Sequence, residues 1–337
     1  MIKPFTHFLR SFASRNEALI LTYHSVLHDP LPFPIWHHLS LEHFEHQIAY
    51  LAKHFRCVSM SELLDGHARG HIPPYTVSLT FDDGYRNNLT QVLPLLQRYN
   101  LPATLFITGG FVTTAQMLWP EWIACALAQT KLPTVNFAGQ ILDLRNTDAR
   151  ALAFRAATAG FRNISPSEIP ARVDELLRAT QLTRAQVENS AMRQAIAALN
   201  WDEVRQLHAS GLFEFGAHTI NHWHLTKLSH EQARAEIIGA KLLIEEQVGP
   251  VNYFAYPYGG PDDFDATHRA LAIEAGYRAI FTASTQTVTP QSDVFELPRM
   301  GIGAHLSDEE FIYSLRGGIA AMAGRYWPTR LKRLFGG

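Results

Sequence analysis

The chain has 337 residues, 47% hydrophobic and 18% charged, which is enough apolar material for a large folded core and unlike a disordered segment. A formal net charge of -2 gives no electrostatic case for nucleic acid as a partner, and no run of about 18 apolar residues marks a membrane span. Two cysteines, Cys57 and Cys125, are too few for a disulfide scaffold, whereas 17 histidines favour metal or proton chemistry.

Residues 1–16 form an amphipathic segment, with Ile2, Phe5, Phe8, Leu9 and Phe12 at helical spacing among Lys3, Arg10 and Arg15. It lacks the apolar core and small-residue cleavage site of a secretory signal, so a cytoplasmic protein is expected. Residues 18–23 read as a buried strand, and Ser40 caps a helix running to about Phe55. A second strand is expected at 77–81, then a helix ending near Tyr99, then a third strand at 103–107 introduced by Pro102. From 117 to 199 the alternation breaks into a hairpin at 134–144 and helices near 148–157, 167–179 and 184–198. That stretch is too long for a connection and reads as an inserted, mainly helical subdomain between two halves, 17–116 and 200–306. It would cover the site, bind substrate, dock a partner or serve structure alone. Asn200 caps the next helix, and a strand follows at 212–217. Ser229 and Gln232 form a capping box for a helix ending at Gly249. Strands at 252–256, 277–282 and 294–297, with a helix at 265–275, complete the pattern. Residues 307–337 interleave Arg316, Arg325, Arg330, Lys332 and Arg333 with Tyr326, Trp327, Leu331, Leu334 and Phe335. Basic amphipathic ends suit either helices packed on the domain or peripheral contact with the anionic inner face of a membrane. Repeated strand–helix units imply a parallel α/β sheet or barrel, whose chemistry collects at the C-terminal ends of the strands.

Three motifs fall at such ends. Thr80-Phe81-Asp82-Asp83-Gly84 closes the second strand. Adjacent carboxylates raise each other's pKa and need partners, unless the pair only closes a turn. His218-Thr219-Ile220-Asn221-His222 follows another strand, and a spacing of four on a helical turn lets two imidazoles share one ion. Alone it equally describes two hydrogen-bonded loop histidines. Together, two imidazoles and one carboxylate form a three-ligand catalytic set with open positions. The second carboxylate is then free to take a proton from an attacking water. In Phe254-Ala255-Tyr256-Pro257-Tyr258-Gly259-Gly260, Pro257 fixes the backbone and the glycines permit close approach, so an N–H there can face an oxyanion.

TFDDG, HTINH and FAYPYG, in that order, resemble the first three motifs of the NodB-type polysaccharide deacetylases, which act on chitin, chitooligosaccharides and peptidoglycan. The likeness runs loosely from about residue 18 to 299, and ALILTYHSV with FAYPYG is most similar to the poly-N-acetylglucosamine deacetylase branch. The resemblance implies a distorted (β/α)7 TIM-like barrel and removal of N-acetyl groups from a sugar or glycan, with release of acetate. It implies a divalent metal on Asp83, His218 and His222, zinc first and cobalt, nickel, iron or manganese as alternatives. Asp82 would be the general base, and Tyr258 would lend its backbone N–H to the oxyanion.

The chain departs from the family pattern at Ala255, where an arginine that orients the base is usual, and lacks the Asp–Trp and Leu-x-His motifs nearer the end. Arg299, ending the last strand, is expected to reach Asp82 instead. A protonated His24 is the first choice for general acid, with His224 and His305 as rivals. Trp119, Trp223, Tyr256 and Pro257 are expected to line the sugar. The alternatives are a lipid- or nucleotide-linked sugar, an O-acetyl ester or a non-sugar amide as substrate, or an inactive carbohydrate-binding relative.

Overall fold

The computed structural model describes residues 16–315. The amphipathic segment expected at the start and the basic residues from Arg316 onward lie outside the described residues. Seven strands form the centre: β1 Ala18–Tyr23, β2 Thr76–Asp83, β3 Ala103–Ile107, β4 Phe213–Ala217, β5 Tyr253–Ala255, β6 Ala279–Ala283 and β7 Leu297–Gly301. Each is parallel to its neighbours in chain order, and β1 pairs with both β7 and β2, so the sheet closes into a barrel. A two-residue strand, Arg56–Cys57, pairs with the start of β2.

Strand alternation sorts the two faces. Leu19, Leu21, Tyr23, Val77, Leu79 and Phe81 pack in the large cluster shared with the surrounding helices. Ile20, Phe106, Ala255, Phe281 and Leu297 belong to a separate cluster that fills the lumen, so the barrel is a packed core and not a pore. Gly216 on β4 makes that packing feasible, because a Cβ there would lie 2.4 Å from the Phe106 ring. Four helices start where side-chain caps dictate. Ser40, Asn200, Ser229 and Asp265 each accept a backbone N–H of the first turn, a contribution of about 1 kcal/mol apiece.

Between β3 and β4 the chain forms helices Trp119–Gln129, Thr147–Arg162 and Ile169–Thr180 and the hairpin Thr134–Phe137 with Gln140–Asp143. Their apolar faces meet in one cluster with Leu27, Phe33, Ile35, Tyr85 and Phe111, which come from the barrel's upper loops. The segment is therefore seated on the mouth of the barrel. Several expected boundaries shift by a few residues, two of them for a reason the hydrogen bonds show. The helix anticipated at 184–198 is split, because Ser190 accepts the Arg193 N–H and starts a new turn at Ala191. The last strand begins at Leu297 instead of 294, since Asp293 accepts the Phe295 and Glu296 N–H groups and turns the chain first. Arg299 consequently lies inside β7.

Candidate metal and catalytic site

His24 follows β1, Asp82 and Asp83 end β2, His218 follows β4, Tyr258 follows β5, and Arg299 lies on β7. All six gather at the C-terminal mouth of the barrel. Alternation alone would send Asp82 and Asp83 to opposite faces. Asp83 instead adopts φ 74°, which breaks the alternation and turns both carboxylates towards one imidazole. His218 Nε2 lies 3.8 Å from Asp82 Oδ2 and 3.8 Å from Asp83 Oδ1.

The two histidines do not share a helical turn. Residues 218–222 form a loop in which Thr219 and His222 are left-handed, with φ 62° and 56°. Glu236, from helix His230–Val248, accepts the N–H groups of Ile220 and Asn221 at 2.9 and 2.8 Å, and Thr219 Oγ1 accepts the His222 N–H. Gly109 and Gly110 donate to the Thr219 and Ile220 carbonyls from the other side. These bonds satisfy a backbone that a helix would have satisfied internally. They bring His222 Nε2 to 3.3 Å from Asp83 Oδ1.

Asp83, His218 and His222 each offer one ligand atom, all within 4.8 Å of one another and all on buried residues. His218 Nδ1 donates to the Ala255 carbonyl at 2.8 Å, which fixes the tautomer and leaves the Nε2 lone pair free. Asp83 Oδ1 is buried and accepts no hydrogen bond. Burial, then the neighbouring Asp82 and Glu121, push the Asp83 carboxyl well above its usual range. Burial and His218 drive His222 well below its own. An unpartnered acceptor facing two neutral imidazoles, in a pocket that disfavours bare negative charge, fits a divalent cation.

Asp82 sits in a different field. Arg299 donates to both of its oxygens, Nη1 to Oδ1 at 2.7 Å and Nη2 to Oδ2 at 2.9 Å, and Arg299 is only 3% exposed. Burial alone would raise the Asp82 carboxyl. Arg299, with His218 and His24, outweighs burial and holds it below the usual carboxylate range. His24 Nε2 lies 4.0 Å from Asp82 Oδ2, and Asn88 donates to the His24 carbonyl. The protonated His24 expected from the sequence is not what the site favours: burial lowers its pKa to about 3, so the resting imidazole is neutral.

The Tyr258 N–H has no acceptor among the described residues, and the residue is left-handed at φ 63°. Gly259 follows at φ 69° and packs so close to β6 that a Cβ would lie 2.7 Å from the Ala283 nitrogen. His224 stacks on the Tyr258 ring at 3.7 Å and is tied by Nδ1 to Asp263, while His305 is exposed, so neither approaches Asp82 as His24 does. Two of the expected sugar contacts, Tyr256 and Pro257, are corrected, and Trp119 is mostly packed but still lines the cleft that Trp223 lines. Trp119 is 5% exposed, stacked on Phe161, and donates to the Tyr258 hydroxyl. Tyr256 is 1% exposed and stacked on Phe264, and Pro257 is buried. Tyr256 and Pro257 fill the core because apolar rings beside a strand end are consumed by packing first. Trp223 is half-buried and lines a cleft of ≈ 230 Å³ with Phe111, Trp122 and Pro170.

Trp36 was not singled out in the sequence. It is 47% exposed and meets His24 edge-on, with ring centroids 4.9 Å apart, at the open side of the site. Its only sequence signal is an aromatic beside the pair His37-His38 in a loop after β1.

The profile of the family described as polysaccharide deacetylase matches residues 69–132 and 164–280, more than half of the chain. A stretch of 70 residues is 37% identical to the poly-beta-1,6-N-acetyl-D-glucosamine N-deacetylase of Escherichia coli strain K12, covering 20% of this chain and 10% of that protein. The chain thus matches about a tenth of that relative's length. Among solved structures, the Streptococcus pyogenes deacetylase PplD in complex with acetate superposes with a TM-score of 0.58 at 16% identity, over 89% of this chain and 98% of that one. IcaB from Ammonifex degensii gives 0.56 at 18% identity, over 90% and 97%. At these identities the likeness to solved structures establishes the barrel fold.

Proposed function

The chain belongs to the polysaccharide deacetylase family, and from that premise we propose that it hydrolyses the N-acetyl group of an acetylated sugar or glycan and releases acetate. The observation that carries the reading is the division of labour between adjacent carboxylates. Asp82 is held ionised by Arg299, while Asp83 keeps a free buried oxygen facing His218 and His222. A pure binding module has no use for a charged, cation-fixed acid beside a ligand set.

A divalent ion on Asp83, His218 and His222 would supply Lewis acidity towards the acetyl carbonyl, and two imidazoles with one carboxylate suit zinc. Asp82 takes a proton from the attacking water, and its bidentate arginine fixes its orientation. The unpaired Tyr258 N–H is available to the oxyanion of the tetrahedral state. His24, neutral at rest and 4.0 Å from Asp82, relays the proton to the departing amine. Trp36 offers an exposed apolar ring to a sugar beside His24. The likeness to a poly-N-acetylglucosamine deacetylase supports N-acetylglucosamine units as the substrate class.

The test is acetate release from N-acetylglucosamine oligomers by the zinc- or cobalt-loaded protein. Asp82→Asn is expected to retain metal and lower kcat by about 10²–10⁴-fold. Metal binding without turnover of any acetylated sugar, linked sugar or ester would instead identify a carbohydrate-binding protein.

A further inference from the structure

Three consecutive residues after β1 are tied to two consecutive asparagines that follow Asp82 and Asp83. Tyr23 is the last residue of β1 to pair with β2, opposite Phe81. At His24 the ladder stops, and a short strand resumes at Ser25–Leu27. The His24 carbonyl therefore needs a partner outside the sheet. Asn88 supplies it, with Nδ2 donating to that carbonyl at 2.9 Å. Asn87 holds the next two residues: Nδ2 donates to Ser25 Oγ at 2.8 Å, and Oδ1 accepts the Val26 N–H at 3.0 Å. Asn88 is fully buried and Asn87 nearly so.

The asparagines are themselves held. Asn88 opens a wide π-type turn, Asn88–Val92, and its N–H donates to the Tyr85 carbonyl at 3.0 Å. From the other side, the end of the inserted segment runs antiparallel to the stretch after Asp83. Leu199 donates to the Gly84 carbonyl, Arg86 to the Ala197 carbonyl, and Asn87 Nδ2 to the Ala195 carbonyl. The His24 ring, by contrast, makes no hydrogen bond of its own among the described residues. Its Nδ1 is buried without a partner, and Nε2 stands 4.0 Å from Asp82 Oδ2. The place of the imidazole is set by the backbone that carries it and by the edge of Trp36.

We propose that Asn88 is a positioning residue for His24. Its bond to the His24 carbonyl, supported by Asn87, fixes where the imidazole stands relative to Asp82. The group that takes a proton from water and the anchor of the group that gives one to the departing amine then belong to one piece of chain. The inference rests on the reading of His24 as the proton donor. Its weight is geometric: proton transfer needs a donor within about 2.6–3.2 Å of its target, and a displacement of about 1 Å can cost about 10²-fold in rate.

The experiment uses the full zinc-loaded chain and two substrates, N-acetylglucosamine oligomers and 4-nitrophenyl acetate, whose phenolate leaves without needing a proton. Asn88→Leu keeps the bulk of the side chain and removes the donor; Asn88→Ala repeats the measurement if the first variant does not fold. On the oligomers kcat should fall about 10–100-fold, with KM and Zn²⁺ affinity unchanged within about twofold. On the ester the variant should match wild type. In a His24→Gln background the same change should cost less than about twofold, because the group it positions is gone. Equal losses on both substrates, weakened Zn²⁺ binding, or a loss as large in the His24→Gln background as in wild type would make Asn88 a structural residue and overturn the inference. A wild-type kcat in Asn88→Leu beside a slow His24→Gln would overturn it too, leaving the proton-donor reading intact. If His24→Gln itself turns over the oligomers like wild type, that reading fails and the inference with it.

Discussion

Replacing Arg299 by Met keeps most of its length and removes its charge, leaving Asp82 buried without a cation. Both side chains are almost fully buried and joined by two hydrogen bonds, so solvent screens little of the pair. Removing one member of such a pair costs about 3–5 kcal/mol. At about 2 °C per kcal/mol for a chain of this size, the melting point should fall by about 6–10 °C near neutral pH. The loss should depend on pH in a set direction. In the wild type the folded Asp82 pKa is depressed, so its contribution is present above the unfolded value of about 3.9 and disappears as pH falls through the folded value. In the variant burial is opposed only by His218 and His24, and the folded pKa is expected to rise above the unfolded one. Its contribution is then present below about 3.9 and lost as pH rises through the new folded value. The melting deficit should therefore be large at pH 7.5, smaller at pH 4.5, and largely abolished when Asp82→Asn is added. Calorimetry on the four proteins of the cycle measures this. A deficit of equal size at both pH values, or a double variant no more stable than the single, would refute the assignment of Arg299 as the counter-charge of Asp82.

His24→Gln removes a histidine whose pKa is about 3 when folded. Wild type should lose stability as pH falls from about 6.5 towards 3, and the variant should lose about 1.4 kcal/mol less per pH unit in that window; identical acid limbs in both melting series would show that His24 is not held neutral. Gly259→Ala forces a Cβ against the Ala283 backbone at positive φ. A cost of about 1–3 kcal/mol is expected, with kcat falling because the Tyr258 N–H is displaced, and a fully active, equally stable variant would remove that N–H from the site. Trp36→Ala should raise KM for N-acetylglucosamine oligomers about tenfold with little change in kcat, as the loss of one stacking ring; an unchanged KM would exclude Trp36 from the sugar site.

The barrel was legible because most strands carried an apolar run and four helices a side-chain cap, at Ser40, Asn200, Ser229 and Asp265. The ligand types were legible because Asp83, His218 and His222 stand at strand ends, where few residues compete for a role. The shape of the HTINH loop was not, since it is set by Glu236 and Gly110, which lie outside the motif and meet it only in space. Tyr256 was misjudged for a related reason. An aromatic's exposure depends on partners such as Phe161 and Phe264, which local sequence does not reveal. Trp36 was missed because a loop of mixed apolar and polar residues has no period to read.

The guanidinium on β7 and the carboxylate on β2 are separated by 217 residues. During synthesis Asp82 therefore leaves the ribosome long before its partner exists, and the final staves of the barrel must dock before the pair can form. Any nascent or truncated form ending short of Arg299 carries the three candidate cation ligands without a properly charged neighbour. Cation capture and hydrolysis should thus mature at different stages of biogenesis, with catalytic competence arriving last.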